Sequence, residues 1–183
     1  MEIIISLGII VVLIAVFIIC IYNSVVSASV KVKNAWAQID TQLKRRYDLL
    51  PNLIETVKSY ANYESATLEK IVEARNIYEK AETVAAKAEA SNIISNSLDS
   101  FFALAEAYPD LKASENYLNL QTELSDTESK ISYARESYND AVQLYNEKIG
   151  VFPNSIIAKK FNFVEKEFFK VDDKEKENIK VKL

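Results

Sequence analysis

The chain has 183 residues and a mass of 20.7 kDa, enough for one domain with a real core and too short to expect two. With one Cys and no His it has no disulfide framework and no His-based metal site, and two Gly and three Pro leave few turn residues for hairpins or phosphate-cradling loops. A net charge of −4 argues against nucleic acid as a partner, because phosphate binding needs an excess of Lys and Arg on one face.

The first element is the run Ile3 to Tyr22, with 18 apolar residues of 20 and no charge. As a helix it rises about 30 Å, the hydrocarbon thickness of a bilayer, and it predicts a transmembrane anchor over residues 1–23 with the lipid bilayer as partner of residues 3–22. A cleaved secretory signal, with Val26-Ser27-Ala28 as the cleavage site, is the rival reading. Against it, no Lys or Arg precedes the run and its length exceeds the usual h-region of about 7 to 15 residues. Lys31 and Lys33 follow the span and no basic residue precedes it, so the body is expected on the cytoplasmic side of the plasma membrane.

The rest of the chain, residues 24–163, reads as a helical bundle. Val25, Val32, Trp36, Ile39, Leu43, Tyr47, Leu50, Ile54 and Val57 keep helical spacing through Pro51, which predicts a kinked rod continuing out of the membrane. Glu64 to Glu89 forms the next element, with Leu68, Ile71, Val72 and Tyr78 on one face and an Ala-rich second half. Ser91-Asn92 then offers an N-cap for a shorter helix carrying Ile94, Leu98, Phe101, Phe102 and Leu104. Tyr108-Pro109-Asp110 ends that helix. From Ala113 to Ile149 a heptad seam of coiled-coil type runs through Tyr117, Leu120, Leu124, Thr127, Ile131, Ala134, Tyr138, Ala141 and Tyr145, stopped by Gly150 as a cap and by Pro153. The expected fold is all-α: a transmembrane helix continuing into an antiparallel long-helix bundle of three to four rods. Residues 164–183 alternate Lys and Glu and read as a mobile charged tail, broken by Phe168-Phe169 and Val181-Lys182-Leu183, which dock on the bundle or on a partner.

Residues 61–149 carry eight basic and sixteen acidic side chains, whereas residues 1–60 carry six and four and residues 150–183 eight and six. The acidic middle repels anionic lipid and should hold the bundle away from the bilayer. Within the first rod, Lys44, Arg45, Arg46 and Asp48 with Asp40 form the densest charged cluster. Its spacing predicts i,i+4 pairs, Asp40 with Lys44 and Lys44 with Asp48. In the alternative, Arg45 or Arg46 reaches a carboxylate on a neighbouring helix or subunit, with the bidentate geometry that suits guanidinium. The Tyr-Asn pairs at 138–139 and 145–146 lie one heptad apart and read as an interhelical polar layer.

Trp36-Ala-Gln-Ile-Asp-Thr-Gln-Leu-Lys-Arg-Arg-Tyr-Asp-Leu-Leu-Pro-Asn-Leu53, followed by Val57-Lys58-Ser59-Tyr60-Ala61, resembles the LemA family of bacterial membrane proteins. Glu106 to Ala113, Leu118 to Leu124, Tyr133-Ala-Arg135, the two Tyr-Asn pairs and Phe152 to Ala158 extend the resemblance in the same order over nearly the whole chain. Two positions depart from it: Asn162 stands where the family usually has Gly between two Phe, and Tyr63 stands at a common His. The resemblance implies one hydrophobic span and a long-helix bundle, and it brings no catalytic residue to carry over.

A bundle diiron site needs Glu-x-x-His and no His is present, and no Ser, Cys or Lys carries a nucleophile motif. No enzyme and no cofactor are expected. Two readings based on association remain. In one, the chain is an oligomeric scaffold, probing a second copy through Lys44, Arg45, Arg46 and Asp48 against the acidic residues 64–90. In the other, it is a monomeric adaptor that presents its bundle or Phe168-Phe169 to another membrane or soluble protein. An unrecognised carboxylate enzyme is the third class, marked by loss of turnover on changing one buried carboxylate.

Overall fold

The computed structural model describes residues 1–58, 65–106 and 108–170, and every regular element among them is a helix. They are α1 (Glu2–Lys58), α2 (Ser65–Lys80), α3 (Val84–Ala105), α4 (Pro109–Lys112), α5 (Glu115–Gly150) and α6 (Asn154–Lys160). Four are rods and two are short. Tyr63 and Val181–Leu183 lie outside the described residues, as do the side chains of Leu68 and Leu104.

Pro51 does not end α1, which stays helical to Lys58. Proline removes the donor that would reach the Tyr47 carbonyl, but burial of Leu50, Leu53 and Val57 on the same stripe holds the helix across the gap. The described chain divides into two compact units, one of Met1–Ala37 with Glu136–Glu167, the other of Gln38–Arg135 with the chain from Phe168 onward.

In the first unit α1 leaves its apolar run and packs against the second half of α5. Lys148 Nζ donates to Ser24 Oγ at 3.0 Å, and the Trp36 ring meets Tyr138 edge to face at 5.5 Å, so the helices are antiparallel. The seam is Ile21, Val25, Ala28 and Val32 against Tyr138, Val142, Tyr145 and Ile149, each set in steps of four and three. Each large aliphatic side chain buried here contributes about 1.5–3 kcal/mol. Val142 is fully buried and Ala141 is not, because the larger residue of the pair takes the core position.

α5 ends at Gly150 as expected, although without a left-handed glycine cap: the left-handed residue of this unit is Asn162, at φ 56°. It turns the chain after α6 between Phe161 and Phe163. Asn tolerates that conformation better than other side chains, which accounts for its standing where the resemblance has Gly.

In the second unit α1 and α3 run in the same direction, since Asp40 meets Lys87 and Arg46 meets Ser91 and Ser95. α5 runs opposite to α3, with Ser95 beside Glu128 and Phe102 beside Tyr117. The core combines Ile39, Leu43, Leu50 and Leu53 of α1, Ile71 of α2, Ile94, Leu98 and Phe101 of α3, and Leu124 and Ile131 of α5. Ala74, Ala88 and Ala90 are also buried, so the Ala-rich stretch serves as a close-packing surface for α2 and α3.

Ser91 is not a helix cap. α3 begins at Val84, where the Thr83 hydroxyl accepts the Ala86 N–H at 3.1 Å, and Ser91 is buried two turns in. The Ala88, Ser91, Ile94, Leu98 phase continues through it, and Ser is small enough to occupy a seam position.

Candidate functional site

Two polar constellations stand out, one in each unit. The first is centred on Arg46. Counting along α1, Leu43, Arg46 and Leu50 follow the core steps of three and four, so the helix itself places the guanidinium in the interior. Arg46 is 0% exposed. A buried cation of this kind is tolerated only when every donor meets an acceptor, and nearly all do. Nη1 donates to Glu128 of α5 and to Ser95 Oγ at 3.0 Å, and Nη2 donates to Ser91 Oγ at 2.7 Å and to the Ser91 carbonyl at 3.2 Å. Ser95 Oγ lies 3.1 Å from the other Glu128 oxygen and closes the ring. Nε, Gln42 Oε1 and the Tyr47 hydroxyl are buried without a hydrogen-bond partner.

Next to it, the Tyr47 ring stacks on Tyr78 of α2 with centroids 3.9 Å apart and planes 20° from parallel. The Tyr78 hydroxyl donates to Asp40 at 3.0 Å, and Lys87 of α3 pairs with the same carboxylate. Burial pushes the Tyr47 hydroxyl up to about 12, and the neighbouring Arg46 cation only partly opposes it. Tyr78 is raised as well, by burial first and then by its hydrogen bond to Asp40. Both phenols stay neutral at physiological pH, and the stack with its Asp40 and Lys87 contacts ties α1 to α2 and α3.

The expected i,i+4 pairs are therefore replaced. Asp40 takes Lys87 in place of Lys44, because the buried face of α1 turns Asp40 toward α3 while Lys44 and Asp48 point to solvent. Arg45 is half exposed and lies 3.8 Å from Glu123. Arg46 reaches a neighbouring helix, but its nitrogens divide between Glu128 and Ser91 and do not form a bidentate fork.

The second constellation holds the segment after α6, in the first unit. Tyr145 donates to the Val164 carbonyl at 3.0 Å and Tyr138 to the Glu167 carbonyl at 2.8 Å. Asn146 bonds Lys166 twice, Nδ2 to its carbonyl at 2.9 Å and Oδ1 from its N–H at 2.8 Å. The spacing explains the fit: seven helical residues rise about 10.5 Å, and three extended residues span about 10 Å. Side chains one heptad apart thus match main-chain groups three apart, and Tyr138, Tyr145 and Asn146 direct their polar groups to an extended segment instead of to an interhelical layer. Burial raises both phenols, with Glu167 adding to the effect at Tyr138.

Residues 164–170 are thus held against the helices, while the rest of the expected mobile tail lies outside the described residues. In the second unit Asn92 donates to the Lys170 carbonyl at 3.4 Å and Phe169 is buried, whereas Phe168 is exposed. Apart from the packed face of α3, the second unit carries an open groove of about 720 Å³ floored by Leu98, Phe102 and Leu124 and rimmed by Ser95, Gln121 and Glu128. No group of three His, Cys, Asp or Glu that could hold a metal ion occurs among the described residues.

Arg46, Tyr138 and Tyr145 all fall within the part of the chain that matches a known family. The sequence profile of the LemA family matches residues 35–183. The chain belongs to the LemA family. It is 31% identical over 154 residues to Protein LemA of Metamycoplasma hominis, covering 81% of this chain and 68% of that one. It is also 32% identical over 74 residues to magnetosome protein MamQ 1 of Paramagnetospirillum magneticum, and 31% to magnetosome protein MamQ of Magnetospirillum gryphiswaldense. Each of these two matches covers 40% of this chain and 27% of the relative. Within this LemA-family chain, Ser91, Ser95, Glu128 and Lys87 complete the buried polar centre, and sequence reasoning missed all four.

Proposed function

We infer that the chain is a single-pass membrane protein whose bundle acts by association, as an oligomeric scaffold at the cytoplasmic face of the plasma membrane, without catalytic activity. The observation that supports this most is the continuity of α1. Its stretch from Ile3 to Phe17 is uncharged and turned outward, and the same helix goes on to supply core residues to the bundle. A helix fused in this way ties the position of the bundle to the membrane. The surfaces offered to a second copy are Lys44 and Arg45 on one side, and the exposed Glu69, Glu73, Glu79, Glu82 and Glu89 on the other. Arg46, being buried, acts by holding this part of α1 in register, and Phe169 by fastening the C-terminal segment.

The test is the mass of the full-length chain in mild detergent, by size exclusion with light scattering, beside the chain shortened to residues 24–183. A discrete oligomer that dissociates on Lys44→Glu with Arg45→Glu supports the scaffold. A monomer in both samples overturns it. The groove over Leu98, Phe102 and Leu124 favours a second reading, a monomeric adaptor that takes a partner's helix or side chain there. In that case, a monomer would carry a crosslinkable partner that is lost on Phe102→Glu.

A further inference from the structure

The membrane-proximal end of the first unit carries a patch that the bundle itself does not use. Ser24 pairs with Lys148, so α5, running down beside α1, reaches the level of Ser24 at Lys148. α5 runs on to Gly150, about 3 Å further by helix rise, and the turn that carries Phe152 follows directly after it. Protein covers the last turn of the apolar run. Ile21 is 8% exposed and Ile18 is partly covered, whereas the rest of the run up to Phe17 is open. The Tyr22 ring lies 4.9 Å from Phe161 and 5.6 Å from Phe163, which brings the turn after α6 to the same depth.

Large apolar side chains stand exposed around this collar: Phe152 is 80% exposed, Val164 65%, Ile156 58% and Phe161 50%. Lys159 and Lys160 are exposed at the end of α6, and no acidic residue occurs between Gly150 and Val164. In water such a cluster is unfavourable, but at a headgroup boundary it is the composition that binds: aromatic and aliphatic groups inserted, ammonium groups among anionic headgroups. It also contrasts with the acidic residues 61–149, which anionic lipid repels.

We propose that residues 150–164, with α6 at their centre, form a second membrane contact that inserts Phe152, Ile156 and Phe161 into the bilayer interface beside the span. This rests on the reading of residues 3–22 as a membrane anchor. The occupant is a lipid surface, because the patch is continuous with the end of the span and carries basic and no acidic charge.

The test uses the full chain with Cys20→Ser, reconstituted in phosphatidylcholine–phosphatidylglycerol vesicles. A single cysteine bearing an environment-sensitive fluorophore is placed by Val12→Cys, Ile156→Cys or Leu144→Cys. Leu144 is exposed and sits about 9 Å up α5 from Gly150. The expected result is a deep, water-shielded signal at position 12, a blue-shifted signal at 156 quenched by lipids brominated near the headgroup, and a water-like signal at 144. A shielded 12 with a water-like 156 overturns the contact and leaves the anchor standing. Water-like signals at both overturn both. Equal shielding at 144 and 156 overturns a contact local to α6. Lys159→Glu with Lys160→Glu should reduce the quenching at 156 without changing position 12; no reduction in anionic vesicles overturns the charge component of the contact.

Discussion

Truncating Arg46 to Ala tests the central energetic argument. The side chain is fully buried and makes four hydrogen bonds, two to Ser91, one to Ser95 and one to Glu128. Removing it deletes two buried methylenes, about 1.6 kcal/mol, and strips the Ser91 hydroxyl of its charged donor, a bond worth about 1.5–3 kcal/mol. The carboxylate partner does not add a full buried-charge penalty, because Glu128 is 41% exposed and can turn to water. Ser95 also keeps its bond to the Ser91 carbonyl at 3.2 Å. The sum is a loss of about 3–5 kcal/mol. Arg46→Met refills the stem and should cost about 1–2 kcal/mol. A cycle with Glu128→Ala should give a coupling of about 1–3 kcal/mol. The assay is urea unfolding of the full chain in non-ionic detergent, followed by helical ellipticity. A loss below about 1 kcal/mol for Arg46→Ala with an unchanged slope refutes the reasoning, since a buried, fourfold-bonded cation would then be dispensable.

Tyr47→Phe removes a hydroxyl that has no hydrogen-bond partner, so stability should stay level or rise by up to about 1 kcal/mol. Tyr47 titrates near 10 when unfolded and at about 12 when folded, so its contribution is complete below pH 10 and falls through pH 10–12 by about 2–3 kcal/mol. In unfolding curves taken across that range, stability should fall with pH above 10, and Tyr47→Phe should lessen that fall without abolishing it, because Tyr78, Tyr138 and Tyr145 are raised as well. Phe169→Ala should cost about 3–4 kcal/mol, and Tyr145→Phe about 1 kcal/mol, in thermal or urea melts. No change in either would detach the C-terminal segment from the bundle. Asn162→Gly should be neutral or slightly stabilising and Asn162→Val should cost about 1–2 kcal/mol, measured by the same melts.

Most helices were legible because apolar spacing is written in side chains, but the element read from Glu64 to Glu89 is broken at residues 81–83, where α2 ends and α3 begins. Leu124, Ile131, Tyr138 and Tyr145 are buried where the seam places them, and the long apolar N-terminal helix, its passage through Pro51 and the stop at Gly150 follow the same rules. Arg46 was harder to see since its charge marks it as surface, yet its position between Leu43 and Leu50 marks it as core. Only the partners waiting on α3 and α5 make that position tenable, and Ser91 and Glu128 lie 45 and 82 residues away in the chain. Ser91 resembled a helix start by residue type, while Thr83 held that role. Docking at Phe169 was signalled by its ring, but the hold on residues 164–167 was the least visible feature, because Tyr138, Tyr145 and Asn146 bind main-chain atoms and leave no pattern in the side chains they hold.

The unbroken path of α1 from the apolar run to the stripe of Val25, Ala28 and Val32 sets a rotational phase as well as a distance. Each residue inserted near Asn23 would swing the span by about 100° relative to the stripe and lift the bundle by about 1.5 Å, while an insertion of four would nearly restore the bearing. Under the proposed anchoring, α1 is thus a keyed shaft: the face its apolar run shows to its neighbours in the bilayer dictates the compass direction in which the first unit is presented.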